Sequence, residues 1–249
     1  MSGSIHIKVT TEVLTSVSGD VTQKINKVQK AFDEIDTVIR NTTSYWEGDG
    51  NNQCREYYKI RQDDYVIAAD GGLQHTMALG REPDEILGDF DSLDYVPENI
   101  EIYRFPSIKD DTDMGLAIQK GMELGYKTFS LYAGSGTRYD HFFANLQLLA
   151  RFSEKGMKIK MVTPDCNIYA LKNDEITLEK EKGTVFSVFS MTDSASGLTI
   201  RNAKYELENA SVSNRFPLGV SNEFIGGKAT ISIESGVILI FEYLSSDFK

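Results

Sequence analysis

Between residues 10 and 41, apolar side chains recur at Val17, Val21, Ile25, Val28, Phe32, Ile35 and Ile39. Steps of three and four place them on one stripe of an amphipathic helix. After the turn Tyr45-Trp46-Glu47-Gly48, a shorter helical pattern holds Tyr57 and Ile60, so residues 1–62 read as a helical hairpin. From Asp63 the period changes. Tyr65–Ala69 is a short apolar run ending in Asp70-Gly71-Gly72, the pattern of a buried parallel strand that turns on glycine into a helix. Glu85-Ile86-Leu87, Glu101–Phe105, Lys127–Tyr132 and Lys158–Thr163 repeat the strand signal, with helical patterns at Met114–Gly125 and Phe142–Phe152 between them. Such alternation predicts an α/β domain with a parallel, Rossmann-like sheet over residues 63–170. Beyond about residue 170 the helical signal stops. Thr184–Met191, Leu198–Ile200 and Lys228–Phe241 alternate or run apolar between Gly and Asn turns, which predicts a small antiparallel β-sandwich over residues 171–249. Within it, Gly219–Phe224 is a polar island that a plain turn would explain.

Composition narrows the class. The chain has 249 residues, 41% hydrophobic and 25% charged, with no apolar run long enough to span a membrane. The net charge of −11 argues against a nucleic-acid partner and favours small-molecule chemistry. Cys54 and Cys166 stand far apart without metal-ligand spacing, so neither a disulfide framework nor a zinc site is expected. The first residues lack the basic-then-apolar order of a signal peptide, and a cytoplasmic protein is expected.

The candidate chemistry lies in the loops that follow the predicted parallel strands, which such a sheet gathers at one edge. Two of them are acidic: Gly88-Asp89-Phe90-Asp91-Ser92 and Lys109-Asp110-Asp111-Thr112-Asp113. Carboxylates this dense stay ionised only where a cation or hydrogen-bond donors offset them, and a hard divalent metal does so economically. Asp89 and Asp91, two apart on a strand end, point the same way. The second cluster sits at a helix N-terminus, where capping alone accounts for one Asp or the Thr. In Ala133-Gly134-Ser135-Gly136-Thr137-Arg138-Tyr139-Asp140-His141 a glycine turn opens a helix, which makes an anion site with Arg138. Arg138 could equally be a surface ion pair with Asp140, and His141 a capping residue or a base.

In order and spacing, Asp70-Gly71-Gly72, the two acidic clusters, Arg138-Tyr139-Asp140-His141 with Asn145, and Ser221-Asn222-Glu223 resemble the thiamine pyrophosphokinases, over about residues 64–244. The resemblance implies ATP and thiamine as substrates, Mg²⁺, and a homodimer with thiamine at the subunit interface. Carried over by position, it implies Asp89, Asp91, Asp110 and Asp113 as metal ligands. Nucleotide contacts would come from Asp70, Gly71, Gly72, Gly134, Gly136, Thr137, Arg138 and Asp140, with Arg138 offsetting phosphate charge. Ser221 and Asn222 would contact thiamine. Residues 5–60, with Trp46-Glu47-Gly48 at the tip, resemble the Trp-X-Gly hairpin proteins of type VII secretion, though the second helix is short. They stand where the kinase family normally has a strand and a glycine loop. Two other readings compete: a Mg²⁺-dependent phosphohydrolase with Asp89 as nucleophile, and a secretion-linked binding protein whose kinase part is inactive.

Neutralising one carboxylate of the first cluster removes a candidate ligand and relieves repulsion. Asp91→Asn is therefore expected to cost orders of magnitude in turnover while the metal-free melting temperature holds or rises. Near-normal turnover of a folded Asp91→Asn protein removes Asp91 from the site.

Overall fold

The computed structural model describes residues 60–61, 63–88, 100–104, 111–136 and 138–246. The hairpin of residues 1–62 lies almost wholly outside the described residues, as do Asp89, Asp91, Asp110 and Thr137.

Three parallel strands come first, β1 (Ile67–Ala69), β2 (Glu85–Gly88) and β3 (Glu101–Arg104), in that spatial order. The short helix α1 (Gly72–Ala78) follows β1, and α2 (Asp113–Glu123) packs against β1 and β2. The buried positions of α2 are Gly115, Ala117, Ile118 and Gly121, small residues that allow close approach. A Cβ at Gly121 would fall 2.6 Å from Phe129 Cε1.

The next strands, β4 (Thr128–Tyr132) and β5 (Lys158–Val162), are also parallel, joined by α3 (Tyr139–Glu154). From there the chain turns antiparallel. β6 (Cys166–Lys172), β8 (Val185–Ser190), β11 (Gly219–Glu223) and β13 (Val237–Tyr243) extend the same sheet in the order β11-β8-β13-β6-β5-β4. A second, antiparallel sheet has the order β10-β9-β12-β7, formed by Leu207–Val212, Ala195–Arg201, Gly227–Ser232 and Glu175–Lys180. The expected parallel and antiparallel sheets are both present. Among the described residues, however, the parallel strands fall into two separate sheets, and the second of these continues into the antiparallel strands beyond residue 170.

The polar island at residues 219–224 is mostly an edge strand rather than a plain turn. It pairs with β8 across a register shift between Gly219 and Asn222, and Ser221 takes φ 58° at that irregularity.

Strand β13 is the hub. Its sequence Val-Ile-Leu-Ile-Phe-Glu-Tyr has no polar face, as a strand covered on both sides requires. Ile238 and Ile240 enter the core between the two sheets with Phe186, Leu198, Phe224 and Ile231. Leu239 faces the other way, into the core under α3 with Leu149, Phe152 and Met161.

Between β1 and β4 lies a cavity of ≈420 Å³, lined by both strands and by residues of α1 and α2. Tyr65, just before β1, stacks on Tyr126, just before β4, with ring centroids 5.5 Å apart. The residues that lead into the two strands thus meet, yet among the described residues each strand pairs on one side only.

Truncation of Ile240, which is fully buried, tests the hub. Ile240→Ala is expected to lower the unfolding free energy by about 2–5 kcal/mol in urea titration. A loss within the range of a surface substitution shows that the two layers do not depend on β13.

Candidate active site

The first turn is built on Asp70. Its φ of 45° is left-handed, a conformation Asp tolerates better than most residues. Its N–H donates to Leu87 O at 2.8 Å, and its carbonyl accepts from Leu73 N at 3.3 Å, which starts α1. Gly88 permits the closeness, because a Cβ there would fall 3.2 Å from Asp70 Cα. The end of β2, which leads straight into Asp89, is thereby held against Asp70. Gly71 and Gly72 play another part: a Cβ on either would meet nothing within 4 Å, so bare backbone faces open space.

At the start of α2 the acidic cluster divides its labour. Thr112 is the cap, its Oγ1 accepting from Gly115 N at 3.1 Å. Asp113 is the first helical residue. Asp111 turns away, with Oδ1 accepting from Thr112 N at 2.9 Å and Oδ2 accepting from Gln119 Nε2 at 3.0 Å and Arg151 Nη1 at 2.8 Å.

The third loop follows β4. Ala133 has φ 56°, and Gly134 is buried with its carbonyl accepting from Asn145 Nδ2 at 2.8 Å. A Cβ at Gly134 would lie 2.5 Å from Met161 Sδ, so glycine lets this loop settle on the core. Gly136 faces open space. Arg138 precedes α3 and donates from Nε and Nη2 to the two oxygens of Asp140, at 3.2 and 2.5 Å. Their side chains are 65% and 64% exposed, so the pair with Asp140 forms at the surface. Arg138 in turn holds the Asp140 carboxyl below the usual range, by hydrogen bonding first. His141 is exposed.

Ser221 and Asn222 lie on β11, in the antiparallel part. Ser221 is exposed, with its N–H donating to Ser187 Oγ at 3.0 Å. Asn222 is buried: its Oδ1 accepts from Tyr205 N and Glu223 N at 3.0 and 2.9 Å, and its Nδ2 donates to Tyr205 O at 2.7 Å. Its amide therefore ties β11 to the turn at Tyr205.

The described part of the site thus brings Asp70 and the end of β2 together at one sheet edge, with α2 packed beside those strands. Gly134 follows β4, whose end at Tyr132 and Ala133 lines the same cavity as Ala69 and Gly72. Arg151, Gln119 and the buried Glu85 were missed, because their partners are remote or unpatterned in sequence. Glu85 accepts from Tyr65 Oη at 2.5 Å and lies 3.8 Å from Lys120 Nζ. No group of three or more His, Cys, Asp or Glu stands ready for a metal among the described residues. No helix among them is long and apolar enough to cross a membrane.

Strand-end turns bearing acids and bare glycines on a mixed α/β frame, with an antiparallel sandwich attached, define a two-part enzyme fold. Two family models match in succession: the thiamin pyrophosphokinase catalytic domain over residues 58–161 and the thiamin pyrophosphokinase vitamin B1 binding domain over residues 173–238. The chain belongs to the thiamine pyrophosphokinase family. It is 28% identical over 181 residues to the thiamine pyrophosphokinase of Bacillus subtilis (strain 168), covering 70% of this chain and 85% of that protein. The crystal structure of the Bacillus subtilis enzyme matches with TM-score 0.68 and 25% identity, covering 75% of this chain and 90% of the other. That of a thiamin pyrophosphokinase family protein from Enterococcus faecalis matches with TM-score 0.64 and 28% identity, covering 73% and 89%. All but the last few residues of the Trp-X-Gly-like segment lie outside both family models and outside the described residues.

With both partners of the Arg138–Asp140 pair exposed, Arg138→Ala is expected to leave the melting temperature unchanged. If the guanidinium also meets phosphate, the variant raises KM for ATP and Arg138→Lys does not restore it, because a point charge replaces a planar fork poorly. An unchanged KM leaves Arg138 as half of a surface pair.

Proposed function

We propose that this chain transfers the terminal diphosphate of ATP to the hydroxyethyl oxygen of thiamine, giving thiamine diphosphate and AMP. The observation that carries the reading is the succession of two family domains on a matching frame, in the order catalytic then vitamin-binding.

The alcohol oxygen attacks the β-phosphorus of ATP, the bond from that phosphorus to the oxygen bridging the α-phosphate breaks, and AMP leaves. An acid of the two clusters takes the alcohol proton. Little covalent work falls to the protein, so rate comes from positioning and charge neutralisation. Asp89, Asp91, Asp110 and Asp113 would hold Mg²⁺; the candidate donors are all carboxylate oxygens, which suit a hard cation. When bound, Mg²⁺ neutralises phosphate charge. Asp70, with the bare backbone of Gly71 and Gly72, would receive the nucleotide together with Gly134, Gly136, Thr137, Arg138 and Asp140. Open space at Gly71, Gly72 and Gly136 supports that placement.

In this reading residues 63–170 carry nucleotide and metal, residues 171–249 carry thiamine, and the enzyme works in the cytoplasm. Ser221 contacts thiamine, and Asn222 acts beside it by holding the strand to Tyr205. A homodimer forms on this side. In support, β11 is an edge strand among the described residues, and Tyr205, Phe216, Leu218, Val220 and Ile225 expose 46–65% of their surface on or near it.

Purified protein with ATP and Mg²⁺ is expected to form AMP and thiamine diphosphate in equal amounts, and only when thiamine is added. Thiamine-independent release of phosphate, or an acid-stable phosphoenzyme, overturns the reading in favour of a hydrolase.

A further inference from the structure

Asp111 lies between two candidate metal ligands in sequence, but its carboxylate is committed elsewhere. One oxygen accepts the Thr112 amide, and the other accepts Gln119 Nε2 at 3.0 Å and Arg151 Nη1 at 2.8 Å. Its side chain is only 14% exposed, against 42% for Arg151. Space for this arrangement comes from Gly115, where a Cβ would fall 2.3 Å from Asp111 Oδ1 and 2.8 Å from Cγ. The carboxylate therefore lies across the first turn of α2, reaches two turns down it to Gln119, and is fastened to the far end of α3 by Arg151. Because α3 opens with the Gly134–Asp140 loop, the fastening joins the helix that starts with Asp113 to the helix that leads out of the glycine loop.

We infer that Asp111, Gln119 and Arg151 form a clamp that positions the second acidic cluster, with Arg151 as its anchor. The inference rests on the proposed function. Three donors on Asp111 offset its charge, which lowers the repulsion that its carboxylate adds to the cluster. The clamp also fixes where the α2 N-terminus stands, since Thr112 caps the helix in the same turn. Asp111 is a positioning residue in this scheme, not a ligand. The half-exposed ion pair adds little to folding stability, so its effect is expected in the orientation of the cluster.

The test compares Arg151→Ala, Arg151→Lys, Asp111→Asn and the double variant Arg151→Ala with Asp111→Asn. Readouts are kcat, KM for thiamine, melting temperature, and Mn²⁺ binding followed by electron paramagnetic resonance with a non-hydrolysable ATP analogue. Arg151→Ala is expected to lose about tenfold or more in both kcat and Mn²⁺ affinity with KM for thiamine unchanged, the usual scale for groups that support metal ligands. Arg151→Lys recovers most of the loss, because a single nitrogen makes the contact. Asp111→Asn matches Arg151→Ala, and the double variant is no worse than either alone. A fall in melting temperature with kcat and Mn²⁺ affinity intact makes the clamp merely structural and overturns the inference. So does loss of Mn²⁺ binding in Asp111→Asn alone, which makes Asp111 a ligand. If the wild type forms no thiamine diphosphate, the proposed function falls, and the Mn²⁺ titrations alone decide the clamp.

Discussion

Burial of β13 on both faces is the constraint from which the described fold follows. A strand that reads Val237-Ile238-Leu239-Ile240 can exist in water only between two covers, and the chain supplies an antiparallel sheet on one side and α3 on the other. Because β13 pairs with β6 and β6 with β5, the same strand links the sandwich to the α/β layer through one continuous sheet. The family models divide the chain near residues 161–173, but the hydrogen-bonded sheet does not break there. Sandwich and α/β layer thus share a core strand, which restricts their relative motion.

The site is assembled under a second constraint, which is close approach of backbone. Gly88 brings the end of β2 against Asp70, Gly115 admits the Asp111 carboxylate, and Gly134 lets the third loop rest on Met161. Each glycine is required by a neighbour rather than by its own dihedral angles. An added methyl at any of the three would meet a neighbour, whereas at Gly71 or Gly136 it would meet nothing within 4 Å.

Much of this was legible in the sequence. Apolar runs located β1, β2, β4, β5 and β8 to within a residue or two, the run Lys228–Phe241 merged β12 with β13, and the Thr112 cap followed by Gly125 framed α2. Strands β7 and β10 were not legible, because Glu175–Lys180 and Leu207–Val212 bury few side chains and so carry a weak alternation. Strand β11 was hidden by the irregularity at Ser221, which breaks the period of two. In the site, the short-range features were readable: the cap at Thr112 and the pair Arg138 with Asp140, two residues apart. Arg151 was not, since a separation of 40 positions from Asp111 leaves no periodic trace. The buried amide of Asn222 was also invisible, for its partners at Tyr205 are backbone atoms that every residue possesses.

The cavity between β1 and β4 has a consequence for the mechanics of the molecule. Across it, among the described residues, the parallel trio β1-β2-β3 is tied to the larger sheet by α2 and by the stack of Tyr65 on Tyr126 rather than by a ladder of main-chain bonds. The spacing of the turn at Asp70 from the loop after β4 therefore rests, in this part, on side-chain packing, which a change of ring at Tyr65 or Tyr126 alters without breaking any strand pairing.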